Sequence, residues 1–436
     1  MSSEAPWHVE GKWFASPGHW ADEVRGSITL PERVFFKDTT LQEGADSTGA
    51  LISWGDRLTL VRMLVDIGVT CVKMPHDISL KELADFISAM DRAGIKVEKS
   101  YTGIIRKDNW KERFQRHIDA GVDSEELIIL ADGFDPGAPF HQFGEGGISN
   151  ESKIGSREEL IELVSETIQF LKEQGIKTIF SWPDTIRSNI DVVRDLYAEG
   201  VKAGADRVYV WDSVGCAVPS VAAYYVSQVK EAIGDSVPIC AQFHNDLGTA
   251  TGNAFSAVEA GVTWVDSAVN GLGDRGGLVA FEEIVCLLEM YGIHTGIRTE
   301  GLYELCTFAA KAWSTPVQRY KPISGDTWCL EEAHFGIGQG ALEEGALEAP
   351  MALNPQVVGR EYRNVIGTTT LYRGGIEMKL AEWGYEPTEQ EIRDIVLRAH
   401  ESIGSKKYIE EDEFKSICDG VMLSTAPASL DVLTVL

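Results

Sequence analysis

Positive charge is the first thing this chain is short of. Its 39 lysines and arginines face 67 aspartates and glutamates, a formal charge of −28 over 436 residues. A nucleic-acid backbone or an anionic membrane surface is disfavoured as the main partner, since both recruit proteins through an excess of cations. Paired cysteine is missing too. The seven cysteines are odd in number and include no CxxC, which fits a reducing compartment better than a disulfide framework. No apolar run approaches the roughly 20 residues of a membrane span. The first twenty residues lack the basic start and apolar stretch of a signal peptide. The expected location is the cytoplasm.

What is present is a repeated unit. From about residue 32 to 295 a β-branched run, a loop and a helical pattern recur, closing on Gly68, Gly94, Gly121, Gly175, Gly204, Gly234 and Gly261. Glycine suits the left-handed position just past a helix. The intervals are 26 to 30 residues, apart from one of 54 that holds a long loop, Ala131 to Glu151. Strands are predicted at Arg33–Lys37, Val69–Met74, Ile95–Ser100, Glu126–Leu130, Lys177–Ser181, Asp206–Trp211, Val237–Phe243 and Thr263–Ala268. Between them run amphipathic patterns such as Leu58, Val61, Leu64, Val65 and Ile67. Eight such units over ~250 residues predict an α/β fold, the (β/α)8 TIM barrel. An open doubly wound sheet is the second choice, because no GxGxxG follows the first strand.

Residues 1–31 read as an N-terminal arm carrying Trp7, Trp13, Phe14 and Trp20. It packs on its own barrel or on a partner subunit, or covers the active site. Beyond the barrel at 32–295, a C-terminal helical appendage is expected at 296–420, with helical patterns at 302–313, 374–383 and 388–403. A Gly-rich passage, Phe335 to Gly340, interrupts it. Residues 421–436 read as a loosely ordered tail.

The chemistry gathers in a few blocks. Gln242 and His244 are two apart on one predicted strand, so their side chains leave the same face. The blocks Lys37-Asp38-Thr39-Thr40-Leu41-Gln42-Glu43-Gly44, Trp211-Asp212-Ser213-Val214-Gly215, His244-Asn245-Asp246-Leu247-Gly248 and Asn270-Gly271-Leu272-Gly273-Asp274-Arg275 resemble the signatures of the DRE-TIM metallolyases. That superfamily contains 3-hydroxy-3-methylglutaryl-CoA lyase and the 2-isopropylmalate, citramalate and homocitrate synthases. The segment Pro355 to Glu361, with Ile366-Gly367, resembles the region that follows the barrel in the synthases.

The resemblance implies a barrel whose divalent metal, Mg2+ or Mn2+, chelates a 2-oxo acid while an acyl-CoA enolate attacks the ketone, or the reverse cleavage. On the matching positions Glu43 is the acidic ligand and His244 the second histidine, whereas Gln242 replaces the first histidine and Leu278 an asparagine. Gln42 replaces an arginine, Lys73 a glutamate, and Gly338 stands where the appendage histidine is expected. Glu43, Gln242 and His244 could still hold a cation, or the site is metal-free and they are only hydrogen-bonded. Lys73, Gln42 and Asp212 are the catalytic candidates, and Tyr101, Thr102, Arg187, Ser213 and Asn270 the substrate-binding ones. Each has a bland counterpart as a polar cap on the core or an ordinary salt bridge. His76 and Asp77 are candidates for acid–base work; Cys216 and Cys240 read as packed residues.

Lys73 admits three readings: an ammonium beside a forming enolate, a Schiff base with a 2-oxo acid, or a structural pair with Glu43. The expected function is an enzyme that makes or breaks a C–C bond next to a small 2-oxo acid, with acyl-CoA as a possible co-substrate. The alternatives are an aldolase or lyase that uses Lys73 in place of a full metal site, and a non-catalytic binding homologue. Polar replacements at 42, 73 and 242 favour an enzyme, since a decaying site fills with apolar or random residues. The appendage's apolar stripes predict a homodimer. Light scattering at micromolar concentration should give twice the chain mass; a stable monomer would sink this expectation.

Overall fold

A computed structural model describes residues 5–26, 28–105, 109–129, 157–332, 347–368, 371, 373–404 and 406–425. The predicted loop at 131–151 and Gly338 lie outside the described residues. The chain divides into two compact units.

The larger unit spans Ser16–Val317 with Pro322–Ser324. Its core is a closed barrel of eight strands. They are β1 Phe35–Asp38, β2 Cys71–Lys73, β3 Glu98–Ile105, β4 Ser124–Ile129, β5 Lys177–Ser181, β6 Arg207–Asp212, β7 Ile239–Phe243 and β8 Trp264–Ser267. Every neighbouring pair is parallel, and β8 closes on β1. All eight predicted strands are present, shifted by up to three residues at their starts. The seven glycines predicted to end helices all have positive φ, from 63° to 114°.

Helices α1 Thr40–Asp46, α2 Trp54–Asp66, α3 Leu80–Arg92, α4 Trp110–Asp119, α5 Arg157–Glu173, α6 Ile190–Ala203, α7 Pro219–Ile233, α8 Ala250–Glu259, α9 Phe281–Met290 and α10 Leu302–Ala312 belong to this unit. Strand alternation sends one set of side chains outward onto them and the other inward. Phe36 meets Phe281 of α9 outside the barrel, while Ile179, Tyr209 and Cys240 pack inside it with Trp211 and Trp264. Gly44 lacks a side chain for a reason of space, since a Cβ there would meet the ring of Trp313 at 2.6 Å. Residues from Ser16 on lie on the barrel's helices, Trp20 stacking on Tyr291 and the Thr29 amide bonding to Glu259.

The smaller unit gathers Met1–Ala15, Gln318–Lys321 and Gly325–Leu436. The sequence suggested one continuous arm; instead its first part, a hairpin of His8–Val9 with Trp13–Phe14, joins residues near 353 through Trp13 and Leu353. Helices α11 Arg373–Glu382, α12 Glu389–Ile403 and α13 Glu411–Thr425 bury Ile376, Leu380, Ile395, Phe414, Cys418 and Val421 against one another. The appendage's apolar stripes therefore have a core of their own. Helix α13 continues to Thr425, inside the stretch 421–436 read as a tail, because Cys418 and Val421 anchor its buried face.

Gly200 sits within α6, where an alanine would ordinarily gain up to ~1 kcal/mol in helix propensity. Here a Cβ would meet the buried Phe180 ring at 2.6 Å. Gly200→Ala is expected to lose ~1–3 kcal/mol through overpacking, read as a lower urea midpoint. A stabilised variant would contradict this packing.

Candidate active site

The inward face of the barrel carries charge where apolar side chains are the norm for parallel strands. Lys37 of β1 pairs with Glu126 of β4 and lies 3.0 Å from Asp266 of β8. Lys73, the last residue of β2, reaches the other oxygen of Glu126 at 3.1 Å. The Tyr209 hydroxyl of β6 is shared between Asp266 and the amide oxygen of Gln242 on β7, at 3.2 Å. Gln242 Nε2 then donates to Glu43 Oε1 at 3.0 Å. One continuous network crosses the barrel from Lys73 to Glu43. Its charged members are nearly sealed: Lys37 is 1% exposed, Lys73 3%, Glu43 5%, and Glu126 and Asp266 0%.

Buried charges survive only when paired, and the titration of these groups reflects that. Burial alone would lower the Lys37 ammonium, but Asp266 and Glu126 hold it above its ordinary value. Burial pushes Glu126 up, yet the two lysines keep it below the usual carboxylate range. Asp266 is raised to about 6 by burial against the pull of Lys37, because Glu126 also repels it. Glu43 is raised by burial, with Lys73 opposing. Functional sites are one place where such clusters gather, and structural ion-pair networks are another.

At the mouth the loops are fastened to each other. Arg275 donates to Asp246 at 2.9 Å and to the Ser213 carbonyl at 2.8 Å. Asp212 accepts from the Cys216 and Ala217 amides at 3.1 and 2.9 Å, fixing the turn after β6. The Ser213 hydroxyl accepts from the Asp184 amide at 2.9 Å, and Arg187 is held by Asp184 at 2.6 Å. Asn270, with a left-handed φ of 60°, donates to the Cys306 carbonyl of α10 at 2.8 Å. Thr102 is the register partner of Glu126 and shares its inward face. Tyr101, one residue earlier, points the other way and meets His117 of α4 edge-on at 4.8 Å. The strand's alternation keeps Tyr101 from the mouth.

Gln42 turns along α1, its Nε2 on Asp46 at 2.7 Å, while its buried oxygen has no partner among the described residues. His76 reaches the same Asp46 at 2.8 Å, and that hydrogen bond raises its pKa. Asp77 instead clasps Arg57 at 2.9 Å. Burial raises the Cys216 thiol to about 11, so it is no activated nucleophile. The structural pair foreseen for Lys73 changes partner: the carboxylate at its ammonium is that of Glu126. Lys37, Glu126, Tyr209 and Asp266 were not singled out from sequence. The signal was there, as ionisable residues at inward positions of strands.

A model of the family described as HMGL-like matches residues 148–308. A 2-isopropylmalate synthase of Methanocaldococcus jannaschii is 30% identical over 403 residues, covering 91% of this chain and 73% of that protein. The chain belongs to the HMGL-like family. It is an enzyme of the acyltransferase or carbon–carbon lyase kind. A homocitrate synthase of Methanopyrus kandleri is 28% identical, covering 92% of this chain and 96% of its own. The hydroxymethylglutaryl-CoA lyase of Pseudomonas aeruginosa shares the fold, with a TM-score of 0.54 and 17% identity over 66% of this chain and 95% of that one. Among the described residues no helix is long and apolar enough to cross a membrane.

The divalent metal implied by the HMGL-like resemblance does not fit the residues at its positions. Gln242 turns its amide nitrogen toward Glu43 and commits its oxygen to Tyr209, the opposite polarity to what a cation needs. Glu43 answers instead to Lys73 and Asp46. Among the described residues no three His, Cys, Asp or Glu side chains gather as a ligand set.

Asp38, beside Lys37, offers a pH test. Burial raises it to about 7, against hydrogen bonds from Thr40. An acid raised above its unfolded value of about 3.8 stabilises the fold fully below that value. Its contribution is then lost as pH climbs toward 7, where the folded state holds the extra proton. Asp38→Asn should flatten this part of the stability curve by up to ~1.4 kcal/mol per pH unit. Urea midpoints from pH 4 to 7 would expose an unchanged slope, which would contradict the assignment.

Proposed function

We propose that this HMGL-like enzyme condenses an acyl-CoA with a small 2-oxo acid. One observation carries the choice of condensation over cleavage. The synthase relatives align over 91–92% of the chain, reaching well beyond the barrel, whereas the similar lyase structure covers 66% of it.

In this reading the 2-oxo acid enters at the C-terminal mouth, where barrel enzymes do their chemistry. His76, oriented by Asp46 and set within the field of Lys73 and Glu43, takes the proton from the carbon next to the thioester. The enolate carbon bonds to the ketone carbon, and the carbonyl's π pair moves to oxygen. That oxygen faces the ammonium of Lys73, which holds its charge until it takes back the proton that His76 removed. Water then cleaves the thioester, releasing the new acid and CoA thiol. Thr102, Arg187 and Ser213 line the approach; Gln42, Asp212 and Asn270 hold the loops that shape it.

The test mixes purified protein with acetyl-CoA and a panel of 2-oxo acids, following thiol release. Thiol should appear only when both substrates are present. His76→Ala should lower kcat by ~10²–10⁴. Silence with every 2-oxo acid would refute condensation.

A further inference from the structure

The network in the barrel raises the question of what replaces the cation that positions 43, 242 and 244 do not fit. Two ammonium groups are already buried there. Lys37 and Lys73 together carry the formal charge of one divalent ion, and they share a single carboxylate, Glu126, from opposite sides.

The two lysines are not equivalent. Register sets Lys37 beside Cys71, two residues before Lys73 on β2, so Lys73 lies one inward layer nearer the mouth. Lys37 is clasped by both Glu126 and Asp266, with the Tyr209 ring 4.2 Å away. Lys73 has three N–H donors and gives one to Glu126; the Trp211 ring lies 5.6 Å from its nitrogen. Beside it, two buried polar groups have no partner among the described residues. They are the indole N–H of Trp211 and the hydroxyl of Ser100, which is fully buried and the register neighbour of Lys73. An occupied ammonium below, and an ammonium with donors to spare above, next to unfilled polar groups, is the layout of an anion seat.

We propose that the Lys37–Glu126–Lys73 group takes the place of the divalent metal, so that a 2-oxo acid is bound by the Lys73 ammonium and binding needs no metal ion. Lys73 touches the substrate's oxygens. Lys37 is a positioning residue that keeps Glu126 from neutralising Lys73 alone. An ammonium paired to a buried carboxylate offers charge and not a lone pair, so the complex is an ion pair and no Schiff base forms. The proposal rests on the 2-oxo acid reading above and deepens it.

Calorimetry with full-length protein, stripped by EDTA and checked for metal content, tests it with pyruvate first and then the wider panel. Binding in EDTA should match that in Mg2+ or Mn2+ within about twofold, and Lys73→Met should weaken it by about tenfold or more. Lys73→Arg, which keeps the charge, should bind better than Lys73→Met at equal melting temperature, separating lost charge from lost fold. Borohydride with bound pyruvate should leave Lys73 unmodified by mass spectrometry. Binding that requires added metal, a Lys73→Met protein that binds as the parent does, or a reduced adduct on Lys73 would each overturn the proposal while leaving the 2-oxo acid reading standing. Failure of every 2-oxo acid to bind, with metal or without, would sink the reading itself and this proposal with it.

Discussion

Everything distinctive about this barrel turns on one carboxylate, that of Glu126, held between two lysines. The side chain is fully buried, and an unpaired carboxylate there would cost several kcal/mol. Lys37 alone could satisfy it. Lys73 adds a second cation, and the interior then needs Asp266 and Tyr209 to balance and orient the first. The chain continues through Gln242 to Glu43. Six members come from six different strands and Glu43 from α1, so barrel closure and assembly of the network are one event.

The mouth solves a separate problem. Loops that bring catalytic groups together have to be rigid without a core beneath them. Arg275 does this for three loops at once, tying Asp246, Asp274 and the Ser213 carbonyl. Asp184 and Asp212 complete the brace through Arg187 and the Cys216 turn. Much of what looks like an active site in the sequence is this brace.

How much of this was legible in the sequence differs by layer. The barrel was, because helix-ending glycines recur at a fixed period and each needs the positive φ it has. Glu43 was legible as a match to a signature, and Gln242 and Lys73 as departures from it. Glu126 was hidden by an error of two residues, since a strand read as starting there leaves its side chain at the bottom edge; β4 starts at Ser124. Lys37 sat inside a recognised block and drew no notice because the block's known ligand lies six residues on. Tyr101 and Thr102 were read together, although period-two alternation sends neighbours to opposite faces. The residues from 421 passed for a loose tail; the buried side chains of Cys418 and Val421 keep α13 going to Thr425.

The hairpin at residues 8–14 has a consequence for how the protein is made. His8 meets Glu348, 340 positions further along the chain, and Trp13 pairs with Leu353. On the ribosome the hairpin emerges before every barrel strand, and its partners emerge after all of them. Its aromatic side chains must stay soluble while every barrel strand is synthesised after them. The smaller unit is thus complete only after the barrel's strands have been made, and its folding reports that translation has passed residue 353.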